Sequence, residues 1–281
     1  MKQPKPIGRN YSDIVSNVNN GIYQIPKFQR DFVWSQEQTA KLIDSLLKGF
    51  PIGSFILWKT TDRLKSLKKI GGVVLKEAQD KDYIYYVLDG QQRMTSLYLA
   101  LEGIKVDDKN DYKNIYIDLE KDIDSGDDIC TLIKTDKSIT FYDLINQRIS
   151  SFYKNFEDDD VEKIEDFREH IKNYEFSTIE IENQPLEKIA EIFTRINTGG
   201  KILTLFEIMN AKVYTEEILD KNGKIIKKGF DLEEKFIILI DELKYSGYET
   251  IIRASVSRHW IFQAKIYCGA LFACFLKQNS Q

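Results

Sequence analysis

An apolar run that passes directly into a polar one constrains the fold more than any other feature of the chain. Residues 83–88 read Tyr-Ile-Tyr-Tyr-Val-Leu, a composition typical of a buried β-strand. Residues 89–93 follow at once as Asp-Gly-Gln-Gln-Arg. Apolar residues then recur at helical spacing, namely Met94, Leu97, Tyr98 and Leu101. The pattern predicts a core strand that turns directly into a helix.

Short strand patterns and helix patterns alternate along the rest of the chain. Ser35 and Gln38 stand at the positions of a capping box, which predicts a helix that ends near Gly49 and Pro51. Other strands are expected at 21–28, 54–58, 115–119 and 178–181, and other helices at 141–149, from 157, at 186–196 and from 204. This mixture predicts an α+β fold. A turn-rich break near residue 220 divides a domain of residues 1–215 from a helical extension of residues 216–281.

Composition excludes several classes of protein. The 281 residues are 42% hydrophobic and 30% charged, which suits a globular protein with a sizeable core. The formal net charge of -4 argues against a dedicated DNA-binding domain, so any DNA contact must come from a local patch or a partner. Three cysteines and two histidines form neither a disulfide framework nor a zinc pattern. Without a signal peptide or a membrane span, we expect a cytoplasmic protein.

The first candidate site is residues 89–93, between the strand and the start of the helix. The free N–H groups of a first helical turn favour an anion, and Gly90 lets a ligand approach the backbone. Arg93 can hold a phosphate, and Asp89 can bind magnesium or orient water. Gln91 and Gln92 can position an attacking water. The alternative is structural, with Asp89 as an N-cap and Arg93 in a surface ion pair.

A second candidate segment, residues 25–34, alternates aromatic residues with polar and basic ones. Phe28, Phe32 and Trp34 can stack on a base, while Gln29 and Arg30 can contact bases or phosphates. The alternative is that the aromatic side chains belong to the core and that Arg30 pairs with an acid such as Asp31.

A third candidate segment closes the helix predicted at 186–196. Its sequence, residues 193–201, contains Asn197, Gly199 and Gly200. Such a glycine pair is ordinarily a helix C-cap, but the same turn can form a backbone nest for phosphate. The spacing of glycine and lysine does not match a Walker A loop.

These three segments, together with Pro51-Ile52-Gly53, resemble one known family. It is the N-terminal domain of GmrSD-type, modification-dependent restriction endonucleases, and the resemblance covers roughly residues 10–215. It implies a ParB/sulfiredoxin-like core that binds and hydrolyses nucleoside triphosphate, with Mg²⁺ as the expected cofactor. It also implies that modified DNA is sensed and that cleavage by a His-Asn-His nuclease domain is licensed.

Site residues follow from the resemblance position by position. Residues 89–93 are implied as the hydrolysis block, with Asp89, Gln91, Gln92 and Arg93 catalytic, Gly90 and Arg93 binding nucleotide, and Asp89 holding metal. The remaining implied residues are a second wall of the nucleotide site, Asn197, Gly199 and Gly200, and a set of DNA or phosphate contacts, Gln29, Arg30 and Trp34.

The sequence up to Gln281 contains no His-Asn-His constellation, since His170 and His259 are its two histidines. We therefore expect the nuclease to be a domain or subunit supplied elsewhere, and do not expect this domain to cleave DNA by itself. Self-association stays open. The alternative function is a non-enzymatic module that recognises nucleotide or DNA and recruits a nuclease.

Overall fold

The computed structural model describes residues 4–26, 29, 31–64, 66, 69–70, 73–74, 83–124, 126–182, 184–196, 218–219, 225–227, 230–232, 234–235 and 237–238. The chain forms two compact units, of which the first is Met1–Thr61 with Leu67–Gln184 and the second is Asp62–Ser66 with Pro185–Gln281. The domain boundary predicted at 215 lies outside the described residues.

The strands of the described residues, in chain order, are β1 (Lys5–Arg9), β2 (Tyr23–Gln24), β3 (Phe55–Thr60), β4 (Lys69–Ile70), β5 (Val73–Val74), β6 (Ile84–Asp89), β7 (Tyr116–Asp118), β8 (Cys130–Thr131), β9 (Ser138–Thr140), β10 (Phe176–Glu182), β11 (Ile218–Leu219) and β12 (Ile225–Lys227). The helices are α1 (Tyr11–Asn19), α2 (Gln36–Leu47), α3 (Gln91–Leu101), α4 (Phe141–Asn146), α5 (Asp158–Asn173) and α6 (Leu186–Ile196), with a 3-10 helix at Ile149–Lys154. Helix α6 and the β11–β12 pair belong to the second unit.

A five-stranded mixed sheet organises the first unit, in the order β1-β10-β3-β6-β2. Strand β3 runs antiparallel to β6 and parallel to β10. The register of β3 on β6 shifts between Ile56 and Leu57, so that Ile56 lies opposite Asp89 while Leu57 lies opposite Val87. Such a bulge bends the strand locally. It places the end of β6 beside the residues that lead into β3.

Helices α2 and α3 pack against each other, and their buried residues share one hydrophobic core with this sheet. Phe55 and Leu57 of β3 and Val87 of β6 join the main hydrophobic core. Helix α3 is buried almost all round, because Gln91, Gln92 and the residues from Met94 to Leu101 are all buried. The spacing predicted one buried face, whereas a helix covered on every side lies inside the domain. The α3 backbone is therefore a fixed part of the core.

Capping residues set the starts of the first two helices. Ser35 caps α2 and forms the predicted capping box with Gln38, which is confirmed. Asn10 and Asp13 form the same device at the start of α1, a helix that the sequence patterns did not single out.

The predicted α+β class is confirmed, whereas kinship with the ParB/sulfiredoxin core stays a prediction. Residues 239–281, which hold most of the predicted helical extension, lie outside the described residues. Within the described part of the chain, no helix is long and apolar enough to cross a membrane.

Candidate functional site

Gly90 makes the turn from β6 into α3. It is the N-cap of α3, with φ 86° and ψ 11°, a left-handed conformation that favours glycine. A Cβ on Gly90 would lie 2.5 Å from Cδ1 of Phe55, a fully buried ring. Glycine is therefore required here for two reasons, its backbone angle and the ring beneath it.

Arg93 ties the first turn of α3 to the loop before β3. Its guanidinium donates to the carbonyl oxygens of Ile52 (2.5 Å) and Ser54 (3.1 Å) and to Oδ2 of Asp89 (3.1 Å). The group also stacks over the Phe55 ring, 5.5 Å from its centroid. Two of the predicted segments, residues 51–53 and 89–93, thus meet at one half-buried arginine.

Gly53 leaves room for that arginine. Its φ is 82°, and a Cβ there would lie 2.5 Å from Nη1 of Arg93. The sequence resemblance included Gly53 but gave it no role. The backbone carbonyls of Ile52 and Ser54 and the Phe55 ring were likewise not foreseen, since no residue pattern indicates that a guanidinium will reach main-chain oxygens.

Asp89 is the last residue of β6, and Gly90 rather than Asp89 caps α3. The alternative in which Asp89 is the N-cap of α3 is therefore wrong. The alternative ion pair of Arg93 does form, and Asp89 is its partner. The Asp89 side chain is 37% exposed and that of Arg93 is 18% exposed, so the pair is open to solvent on one side.

Gln92 is buried, and both ends of its side-chain amide are bonded to one neighbouring segment. Its Oε1 accepts from the Val33 N–H (2.9 Å), and its Nε2 donates to the Asp31 carbonyl oxygen (3.1 Å). Gln91 is buried as well, with 6% exposure. The two glutamines predicted to position water therefore lie at the edge of the core.

The second predicted segment runs beside the same strand-to-helix turn. Nε2 of Gln29 donates to the carbonyl oxygens of Val87 and Leu88 in β6. Phe32 and Trp34 are partly buried against the core, as the structural alternative for the aromatic residues expects. Phe28 and Arg30 lie outside the described residues, so their predicted contacts stay predictions.

The third predicted segment is described only up to Ile196. Helix α6 covers Leu186–Ile196, as predicted, and belongs to the second unit. Asn197, Gly199 and Gly200 lie outside the described residues.

The start of α3 differs electrostatically from the other α-helix starts of the first unit. The first turns of α1, α2, α4 and α5 each carry at least one acid, and that of α5 carries three. The first turn of α3 carries none, and no side chain caps it. Backbone N–H groups and the positive end of the helix dipole therefore meet no first-turn carboxylate there, which suits an anion.

Asp89 is the candidate metal ligand at this turn. Within the described residues, no three His, Cys, Asp or Glu side chains cluster as ligands. Magnesium in phosphoryl-transfer sites takes one or two protein carboxylates and fills its shell with phosphate oxygens and water. Asp89 fits such a site, because its carboxylate is partly exposed and its bond to Arg93 uses only Oδ2.

Fold and site together define an α+β domain in which an inner strand, β6, enters a buried helix through a left-handed glycine. The chain belongs to the family described as the GmrSD restriction endonuclease, N-terminal domain, whose model matches residues 11–214. This confirms the family predicted from the sequence motifs.

The chain is also similar to an uncharacterized protein of Methanocaldococcus jannaschii. The two are 27% identical, and the match covers 73% of this chain and 41% of that protein. The match therefore spans less than half of the relative's length.

Proposed function

We propose that this domain binds a nucleoside triphosphate at the start of α3 and hydrolyses it with Mg²⁺, as the sensor of a DNA-modification-dependent restriction system. The observation that carries the proposal is the uncapped first turn of α3, which contains Arg93 and carries no acid of its own. Family membership supports the same proposal, because the family is that of the N-terminal domain of a restriction endonuclease.

Phosphate binding would use the N–H groups of the first turn and the guanidinium of Arg93. Gly90 carries no side chain that would block the approach. Since Arg93 is held by two backbone carbonyls, its guanidinium is oriented before ligand arrives. The negative phosphate would replace Asp89 as the charged partner of Arg93.

That exchange would leave the Asp89 carboxylate to hold magnesium, which when bound neutralises charge on the phosphates. Water would then attack the γ-phosphorus, breaking its bond to the bridging oxygen and releasing inorganic phosphate. Gln91 or Gln92 would orient that water, and both amide atoms of Gln92 are already bonded to backbone.

Other parts of the proposal rest on the family resemblance. Asn197, Gly199 and Gly200 are proposed as nucleotide-binding residues. DNA, whether modified or not, is the proposed macromolecular partner, contacted through Gln29, Arg30 and Trp34, and a separate nuclease domain or subunit would perform the cleavage. Of these contacts, the Gln29 amide already bonds β6, so it would reach DNA only by leaving that strand.

A second candidate function is recognition of nucleotide without hydrolysis. The bonds of Gln92 to backbone favour it, because both of its amide atoms are already occupied and so are poorly placed to position a water. Phosphate release separates the two functions.

The experiment measures nucleotide binding and phosphate release for each of the four ribonucleoside triphosphates with Mg²⁺. Asp89→Asn keeps an oxygen for Arg93 but removes the charge that holds metal, so metal-dependent release should fall roughly a hundredfold. Arg93→Ala should weaken binding as well. Asp108→Asn, which breaks the exposed Lys105–Asp108 pair, is the matched control and should leave both unchanged.

Binding with release that depends on Asp89 would support the hydrolase. Binding without release would favour the recognition module. If Asp89→Asn and Arg93→Ala bind and hydrolyse like the unaltered protein, the site assignment is wrong.

A further inference from the structure

The side-chain amide of Gln92 hydrogen-bonds to the backbone of residues 31–33 in the way that a neighbouring β-strand would. In a β-ladder, one residue accepts from an N–H and donates to a nearby carbonyl of its partner. Gln92 does the same toward Val33 N–H and the Asp31 carbonyl, with distances of 2.9 and 3.1 Å. The residue is 7% exposed, so neither bond competes freely with water.

The segment that Gln92 holds has no regular structure of its own. Residues 31–35 are neither helix nor strand. Three side chains nevertheless connect this part of the chain to its neighbours through hydrogen bonds. Gln29 bonds the end of β6, Gln92 bonds Asp31 and Val33, and the Tyr112 hydroxyl donates to the Trp34 carbonyl oxygen at 3.2 Å. The segment is thus fixed along the strand-to-helix turn by side chains rather than by a sheet.

We infer that Gln92 is a positioning residue, which holds residues 31–34 in place as one wall of the nucleotide site. The inference rests on the proposed function for the existence of that site. Gln92 immediately precedes Arg93 in the first turn of α3, so the backbone it holds borders the turn proposed to bind phosphate. Its contribution to activity is made through this wall rather than through the attacking water.

Two variants separate this role from general stabilisation. Gln92→Met keeps the length of the side chain and removes both hydrogen bonds. Asn146→Leu is the matched control, because the Asn146 amide donates to two backbone carbonyls, Leu101 and Tyr142, each at 3.0 Å. Leu101 is the last residue of α3, so the control removes two side-chain bonds to backbone at the opposite end of the same helix, from an exposed residue.

Amide hydrogen exchange without nucleotide tests the positioning itself. The Val33 amide is expected to exchange roughly tenfold faster in Gln92→Met, since its acceptor is gone, and to be unchanged in Asn146→Leu. Unchanged exchange at Val33 in Gln92→Met would overturn the inference.

Nucleotide binding and hydrolysis with Mg²⁺ then test whether residues 31–34 contribute to nucleotide binding. Gln92→Met should raise Kd and KM about tenfold while kcat stays within about twofold, and Asn146→Leu should change neither constant. A fall in kcat at unchanged Kd would overturn the inference and assign Gln92 to the attacking water. The unaltered protein binding no nucleotide would show that the proposed function is wrong. If Val33 exchange is still faster in Gln92→Met, Gln92 holds residues 31–34 in place, but these residues do not form a wall of a nucleotide site.

Discussion

At the scale of the residue, the Asp-Gly-Gln-Gln-Arg block builds the turn as well as the proposed site. Gly90 allows the left-handed turn above Phe55, and Arg93 fastens the loop at Ile52 and Ser54. Gln92 fastens a second segment. Substitutions in this block therefore affect folding, and activity losses must be compared with stability losses before a catalytic role is assigned.

Replacing Gly90 by alanine should cost more stability than replacing Gly49. Both glycines have positive φ, 86° and 68°, so both replacements strain the backbone. Only at Gly90 would the new Cβ meet a buried ring, 2.5 Å away, whereas nothing lies within 4 Å of the Cβ position at Gly49. We expect Gly90→Ala to lower the free energy of unfolding by about 2 kcal/mol more than Gly49→Ala in urea titrations. Equal losses would contradict the close packing.

At the scale of the element, strong local sequence patterns predicted the positions of several helices and strands. The capping box placed the start of α2, and apolar runs placed β3, β6 and α6 within one or two residues. Strand β1 was missed because its five residues include Pro6 and Gly8, which weaken any strand pattern, and its pairing with β10 is set by a partner about 170 positions away. The site was predicted only in part, because the bonds of Arg93 and Gln92 join distant segments through backbone atoms.

Helix α2 carries a buried ion pair that fixes a second, smaller sheet. Oδ1 of Asp44 accepts from the N–H groups of Ile129 and Cys130, at 2.6 and 3.2 Å, while Oδ2 pairs with Lys48 at 2.8 Å. Strand β8 begins at Cys130. The Asp44 carboxylate thus joins α2 to the β7–β8–β9 sheet.

Removing that carboxylate should be costly, because it leaves buried donors without an acceptor. We expect Asp44→Ala to lower the free energy of unfolding by about 3 kcal/mol. Glu169→Gln, which alters the exposed Lys172–Glu169 pair, should change it by about 0.5 kcal/mol or less, since solvent screens that pair. Thermal and urea unfolding of both variants provide the measurement, and a small loss for Asp44→Ala would show that water replaces the carboxylate.

At the scale of the whole molecule, stability should fall as the solution becomes alkaline. Burial raises the pKa of Tyr23 and of Tyr112 to about 12, from about 10. The unfolded chain then loses these protons near pH 10, while the folded chain keeps them until about pH 12. The stability that the neutral hydroxyls confer is complete below pH 10 and is lost between pH 10 and 12.

Tyr23→Phe isolates one of these groups. Over that pH range, the free energy of unfolding of the unaltered protein should fall more steeply than that of Tyr23→Phe, by about 1.4 kcal/mol per pH unit. Urea titrations between pH 9 and 12 compare the slopes. Parallel slopes would mean that the Tyr23 hydroxyl ionises in the folded chain as it does in the unfolded one.

The central claim, that the start of α3 binds nucleoside triphosphate, is tested most directly by amide hydrogen exchange with and without nucleotide and Mg²⁺. Residues 90–93 should exchange more slowly when nucleotide is bound, because their N–H groups would contact phosphate. The first turn of α5, with Asp158, Asp159 and Asp160, is the internal control and should not respond. Unchanged exchange at residues 90–93 under conditions where nucleotide binds would contradict the claim and place the ligand elsewhere.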